Sequence, residues 1–203
     1  MHNTHNGKGQ PQCVDITVVQ LAGGKSRRMG RDKAAIEVDG QSLDSRPLDL
    51  LRRHFARVLI AGDRPDLAPD NIPAIPDIYP GSALGGLYTG LRAATTDWIF
   101  VAPCDMPYPD ARIVALLISQ RNGFDAVVPR TPAGFEPVFA LYHKRCLPHM
   151  QAMLEQGHYR IHDFYCGINA HFVDWRQLPE DWQRSLLNIN TPDQLARLRE
   201  DPS

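Results

Sequence analysis

The chain has 203 residues, 43% of them hydrophobic, and a formal net charge of −1 from 22 basic and 23 acidic side chains. That length suits one α/β domain with a sizeable core, and the charge balance supplies no global basic field for nucleic acid. No apolar run approaches the roughly 18 or more residues of a membrane span, so neither nucleic acid nor membrane is an expected partner.

Residues 1–13 are polar and rich in Gly, Asn and His, without the apolar stretch of a secretory signal. They predict a disordered tail ahead of a domain over 14–203, in a cytoplasmic protein. Cys13, Cys104, Cys146 and Cys166 form no C-x-x-C pair, which fits a reducing compartment. Cys104 reads as a small strand-end residue rather than a nucleophile.

Ile16–Leu21 is the first core strand. Ala34–Val38 followed by Asp39-Gly40 predicts a short extended piece and a turn. Apolar residues at 48, 50, 51 and 55 predict a helix from Ser45 to Phe55. Arg57–Ala61 reads as the second core strand. The prolines between Pro65 and Pro80 exclude one long helix and leave a short strand at Pro73–Asp77. There follow a helix over Gly85–Ala94, a strand over Trp98–Ala102, and a helix over Asp110–Asn122 with Asp110 as N-cap. Strands over Ala126–Pro129 and Pro137–Tyr142, a helix over Leu147–Glu155 and a strand over His171–Asp174 come next. Thr191-Pro192-Asp193-Gln194 is a capping box with proline at the first helical position, so Pro192–Arg199 is a final helix. Short apolar strands alternating with amphipathic stretches predict βαβ units and a largely parallel sheet in a single domain.

The first strand runs directly into L-A-G-G-K-S-R-R-M-G-R-D-K, residues 21–33. Paired glycines let the backbone approach an anion closely, successive N–H groups form an anion-binding concavity, and Arg28 and Lys33 can neutralise phosphate charge. Gly24-Lys25-Ser26 is not the end of a P-loop, because Val19 stands where that motif needs glycine, and no G-x-G-x-x-G is present. In open parallel sheets ligands sit at the carboxyl ends of the strands. Leu21–Lys33, Asp77 and Cys104-Asp105 all fall at or just beyond such ends. From position alone Asp105 either holds Mg²⁺ together with substrate phosphates or caps a turn before Met106-Pro107. Asp77 is equally open between a nucleotide contact and a turn.

The loop resembles the signature of nucleotidyltransferases that move NMP from an NTP to an acceptor, and among these it is similar to the molybdenum cofactor guanylyltransferases. The likeness spans about residues 14–200. It includes Cys104-Asp105-Met106-Pro107 as the C-D-x-P element and Asn188-Ile189-Asn190-Thr191-Pro192 as N-x-N-T-P. It implies a single-domain, three-layer α/β/α Rossmann-like nucleotidyltransferase fold with a mostly parallel central sheet. It further implies that Arg28, Lys33 and Asp105 are catalytic, and that Leu21, Ala22, Gly23, Gly24, Lys33, Asp77 and Asp105 bind nucleotide. Asp105, with Asn190, would hold Mg²⁺, and Asn188, Asn190 and Glu136 would lie on the acceptor side.

Two departures stand out. Ser82-Ala83 replaces the usual Gly-Pro before Leu84-Gly85-Gly86, and Ala61 stands where relatives often carry an Asn. The resemblance implies transfer of GMP from GTP to molybdenum cofactor or molybdopterin with release of pyrophosphate, and molybdoenzymes or their chaperones as recipients. The alternatives are CMP transfer to molybdopterin, a cobinamide phosphate or sugar phosphate acceptor, or a non-catalytic nucleotide-binding adaptor. Of the remaining polar residues, His158 and His162 read as solvated rather than as zinc ligands, and Arg160 reads as a surface residue.

Overall fold

The computed structural model describes residues 13–22, 37–38, 41–43, 45–68 and 71–189. β1 (Cys13–Leu21) begins three residues before the expected Ile16 and is buried from Ile16 onward. Ile16 and Val18 enter one apolar layer, Val19 and Leu21 the other. Burial on both faces explains why this strand reads as a continuous apolar run. It pairs in parallel with β4 (Phe55–Ala61) on one side and β6 (Trp98–Pro103) on the other. The edge strand β5 (Ala74–Ile75) extends the sheet beyond β4.

On the other side of β6, β9 (Ala140–His143) runs antiparallel to both β6 and β7 (Ala126–Thr131), and β10 (Ala170–Asp174) pairs in parallel with β7. The order is β10-β7-β9-β6-β1-β4-β5, with β8 (Gly134–Phe135) folded back on β7 as a hairpin. β2 (Glu37–Val38) and β3 (Gln41–Ser42) form a separate antiparallel pair, where an extended piece and turn were expected.

Helices cover both faces, giving three layers. α2 (Ala83–Ala93), α4 (Leu147–Glu155) and α5 (Ile161–Phe164) pack on the layer that holds Val19 and Val101. α1 (Arg46–Leu51), α3 (Ala111–Ser119) and α6 (Trp182–Ser185) supply Leu51, Ile113, Val114 and Trp182 to the layer that holds Val18 and Phe100. Asp110 caps α3 as expected, accepting from the Arg112 N–H at 2.7 Å. Among the described residues no helix is long and apolar enough to cross a membrane.

Two elements depart clearly from the sequence reading, and a third is untested. The helix expected over Ser45–Phe55 stops at Leu51, and Phe55 opens β4 instead, its ring stacked on Phe100 with centroids 6.3 Å apart. The strand expected over Pro137–Tyr142 is Ala140–His143; residues 137–139 form a turn, and the Tyr142 hydroxyl donates to the Pro137 carbonyl at 2.7 Å. That strand is also antiparallel, because the β7–β8 hairpin reverses the chain before it joins β6. The final helix expected over Pro192–Arg199 lies outside the described residues.

Candidate functional site

The strand directions put the carboxyl ends of β1, β4, β5, β6 and β7 on one rim of the sheet, level with the amino end of β9. Leu21 pairs with Pro103 on one side and Ala61 on the other, so the residues that follow β1 and β6 start from neighbouring points. The Ala22 N–H donates to the Ala61 carbonyl at 2.8 Å, and the Gly62 N–H to Ile75 at 2.8 Å. The main chain where relatives carry an Asn is thus spent on holding strand ends together. Asp63, which follows, is exposed.

Asp77 leaves β5 and folds onto the start of α2. Ser82 caps that helix, its hydroxyl accepting from the Gly85 N–H at 3.0 Å, so the unusual Ser-Ala opening has a structural role of its own. The Thr89 hydroxyl, buried, donates to the Gly85 carbonyl at 2.9 Å and accepts from the Ile78 N–H at 3.0 Å. It therefore ties the residue after Asp77 to the helix. A β-carbon on Gly85 would lie 1.8 Å from the Tyr79 carbonyl oxygen. One on Gly86 would lie 3.3 Å from Leu21 Cδ2 and 3.6 Å from Asp77 Oδ1. The two glycines therefore admit the Asp77–Tyr79 segment against the helix and bring the Asp77 carboxylate beside the end of β1. Gly85→Ala is expected to force that segment away. Overpacking against main chain costs about 3 kcal/mol, read as a lower Tm together with weaker nucleotide binding by calorimetry.

Among the described residues, buried Asp77 Oδ1 has no hydrogen-bond partner. Burial raises the carboxyl above its ordinary pKa. An orphaned buried carboxylate oxygen is costly, and a ligand carrying N–H donors would satisfy it.

Asp105 lies in the turn that follows β6, half-buried. Its carbonyl accepts from the Ile189 N–H at 2.9 Å. Ile189 is fully buried, so it pins the Asn188 segment against the Asp105 turn. The pieces C-D-x-P and N-x-N, remote in sequence, therefore meet at main-chain hydrogen-bond distance. A carboxylate and an amide are hard oxygen donors that suit Mg²⁺. Among the described residues no cluster of three or more His, Cys, Asp or Glu could hold a metal by itself.

Glu136 sits beside β7, its N–H donating to the Pro129 carbonyl at 2.9 Å. Burial raises its carboxyl, and the polar Thr131 side chain nearby opposes that shift. Two strand spacings separate β6 from β7, roughly 10 Å. Next to Glu136, Phe135 stacks on Phe172 at 4.3 Å, with the Arg130 guanidinium 5.9 Å from its centroid and His162 at 6.0 Å. Along the rim, Asp77 therefore lies on one side of Asp105 and Glu136 on the other. Arg160 precedes α5 and is exposed, as is His158. Gly23, Gly24, Arg28, Lys33 and Asn190 lie outside the described residues. Sequence reasoning had no signal for the Ile189–Asp105 link or for the packing of Asp77 against Gly86. The adjacent glycines at 85 and 86 were the nearest hint.

The chain is similar to known proteins over most of its length. Residues 18–168 match the family model described as a MobA-like NTP transferase domain. The molybdenum cofactor guanylyltransferase of Vibrio cholerae is 35% identical over 193 residues, covering 92% of each chain. The protein of Pelotomaculum thermopropionicum named "Probable molybdenum cofactor guanylyltransferase" is 32% identical over 190 residues, covering 92% of this chain and 93% of its own. The crystal structure of molybdopterin-guanine dinucleotide biosynthesis protein A from Archaeoglobus fulgidus matches with a TM-score of 0.77 at 23% identity, over 91% of this chain and 97% of that one.

A three-layer fold with its polar residues gathered at the strand ends, and with these relatives, defines a nucleotidyltransferase. The chain belongs to the MobA-like NTP transferase family, among the molybdenum cofactor guanylyltransferases.

Proposed function

We propose that this enzyme transfers GMP from GTP to molybdenum cofactor, or to its molybdopterin part, forming the guanine dinucleotide and releasing pyrophosphate. The observation that carries the reading is the buried, unpartnered Asp77 oxygen beside Gly86 and Leu21. A carboxylate there accepts from both the ring N1–H and the exocyclic amine of guanine, a donor pair that cytosine and uracil lack. The acceptor's terminal phosphate is already an anionic nucleophile. Its oxygen bonds to the α-phosphorus of GTP, the bond from that phosphorus to the bridging oxygen breaks, and the electron pair leaves with pyrophosphate.

No general base is needed; the difficulty is bringing two anions together. Gly23 and Gly24 hold the nucleotide through their backbone, while Arg28 and Lys33 neutralise the five-coordinate centre and the leaving group. Asp105, with Asn190, is the proposed Mg²⁺ ligand, and the cation when bound supplies charge neutralisation across the phosphates. Asn188 and Glu136 face the acceptor. We assign the reaction to the cytoplasm, where a reducing compartment suits cysteines that form no disulfide, and molybdoenzymes or their chaperones as recipients of the product.

The test is mass spectrometry of the products from purified molybdenum cofactor, Mg²⁺ and each of GTP, CTP and UTP. The guanine dinucleotide with one equivalent of pyrophosphate, from GTP alone, is the expected result. A cytidine product, or nucleotide binding without transfer, overturns the reading.

A further inference from the structure

Tyr108 follows Asp105 on the same loop and is half-buried. The guanidinium carbon of Arg184 lies 4.3 Å from its ring centroid, and that of Arg46 lies 4.7 Å from it. Both are inside the distance of about 6 Å at which an aromatic face attracts a cation. Arg46 is the first residue of α1, and its Nε also donates to the Pro107 carbonyl at 3.0 Å. Arg184 belongs to α6, just ahead of Asn188.

Two other contacts run alongside this stack. Arg112 meets Asp181 at 2.7 Å, and the Ile189 N–H meets the Asp105 carbonyl at 2.9 Å. Residues 105–112 and 181–189 are therefore joined at three levels, with the Tyr108 ring in the middle. The Arg112–Asp181 pair is exposed and contributes little. The main-chain bond fixes one residue on each side. The ring also draws in α1, alongside the hydrogen bond from Arg46 to Pro107.

We propose that Tyr108 is a positioning residue: by holding Arg46 and Arg184 on its ring, it sets the Asp105 carboxylate against the Asn188 segment. The inference rests on the reading of Asp105 as a metal ligand. Mg²⁺ demands near-ideal octahedral geometry, so loosening this loop affects metal binding before it affects nucleotide binding. The base end is built from α2 and the segment after β5, on the far side of β1 from this loop.

The experiment compares Tyr108→Leu with Tyr108→Phe in the full chain, using Mn²⁺ as the probe. Bound Mn²⁺ in the presence of GTP is followed by electron paramagnetic resonance, and metal-free GTP binding by calorimetry. Tyr108→Leu is expected to weaken Mn²⁺ binding about tenfold, the lower range for a residue that orients metal ligands, and to leave metal-free GTP binding unchanged. Tyr108→Phe keeps the ring and restores wild-type Mn²⁺ binding. Wild-type Mn²⁺ affinity in Tyr108→Leu overturns the inference.

If the leucine variant melts below the assay temperature, Arg184→Met removes a cation from an intact ring, leaves the Arg46–Pro107 hydrogen bond in place and carries the same expectation. Asp105→Asn, measured in parallel, separates the two claims. If it too binds Mn²⁺ normally, the metal-ligand reading fails. If it loses Mn²⁺ while Tyr108→Leu keeps it, only the role of Tyr108 fails.

Discussion

Asp105→Asn is expected to lower kcat for GMP transfer by about three orders of magnitude while leaving Tm nearly unchanged. The two halves of this expectation have separate physical origins. The turn is fastened through the Asp105 carbonyl, which accepts from Ile189, and asparagine keeps that carbonyl. The substitution is also isosteric, so the buried apolar layer beneath it, with Phe100, Ala102 and Met106, is not repacked. What is lost is a negative charge at the rim, which would hold the proposed cation and the charge neutralisation it would supply. Electrostatic stabilisation by a held metal is worth several kcal/mol at the transition state, and about 4 kcal/mol corresponds to a factor of 10³.

An interaction made mainly in the transition state lowers kcat and kcat/KM together, whereas a purely binding role raises KM alone. Pyrophosphate release with saturating GTP and acceptor, read against a thermal melt of the same preparation, distinguishes them. Normal Mg²⁺-dependent turnover in the variant would remove Asp105 from the chemistry.

How much of this was legible in the chain depends on whether each feature is written locally. β1 and β6 are apolar runs because both faces are buried, and such runs announce themselves in any order of reading. Asp110 caps α3 through a contact two residues away, so it too could be read directly. The stop of α1 at Leu51 could not. Phe55 continues the helical spacing of apolar residues, but its ring is claimed by Phe100 across the sheet. The antiparallel sense of β9 was hidden for a similar reason: alternation gives a strand but not its direction, which the hairpin at Gly134 decides.

In the site, Asp77 and Asp105 could be chosen because each follows a strand. Their surroundings could not, since Gly86 is brought to Asp77 by the capped start of α2 and Ile189 to Asp105 by a long-range main-chain bond. Nothing in the local sequence singled out Tyr108, because the two arginines on its ring come from distant parts of the chain.

Asp77→Asn is expected to stabilise the ligand-free protein while weakening GTP binding by about 10- to 100-fold. Ionised Asp77 is desolvated in the folded chain without a partner for Oδ1, so its folded pKa lies above the unfolded value. Between those two values the folded state holds more protons than the unfolded one. Stability therefore falls as pH rises through that window and stays reduced above it. Asparagine removes this penalty. The variant should melt about 2–4 °C higher at neutral pH, and the advantage should fade as the pH falls below about 4, where the wild-type carboxyl becomes neutral in the unfolded state as well.

Function moves the other way. Two donors from guanine onto a carboxylate form a charge-assisted pair, and hydrogen bonds to charged groups contribute about 1.5–3 kcal/mol. An amide presents one acceptor and one donor, which suits N1–H beside a 2-oxo group. Calorimetry should therefore find that Asp77→Asn discriminates less well against XTP than the wild type does, or prefers it. A variant that melts higher yet binds GTP as tightly as before would show that the orphaned oxygen is filled by something other than the base. A variant that gains no stability would show that the carboxylate is satisfied in the free protein.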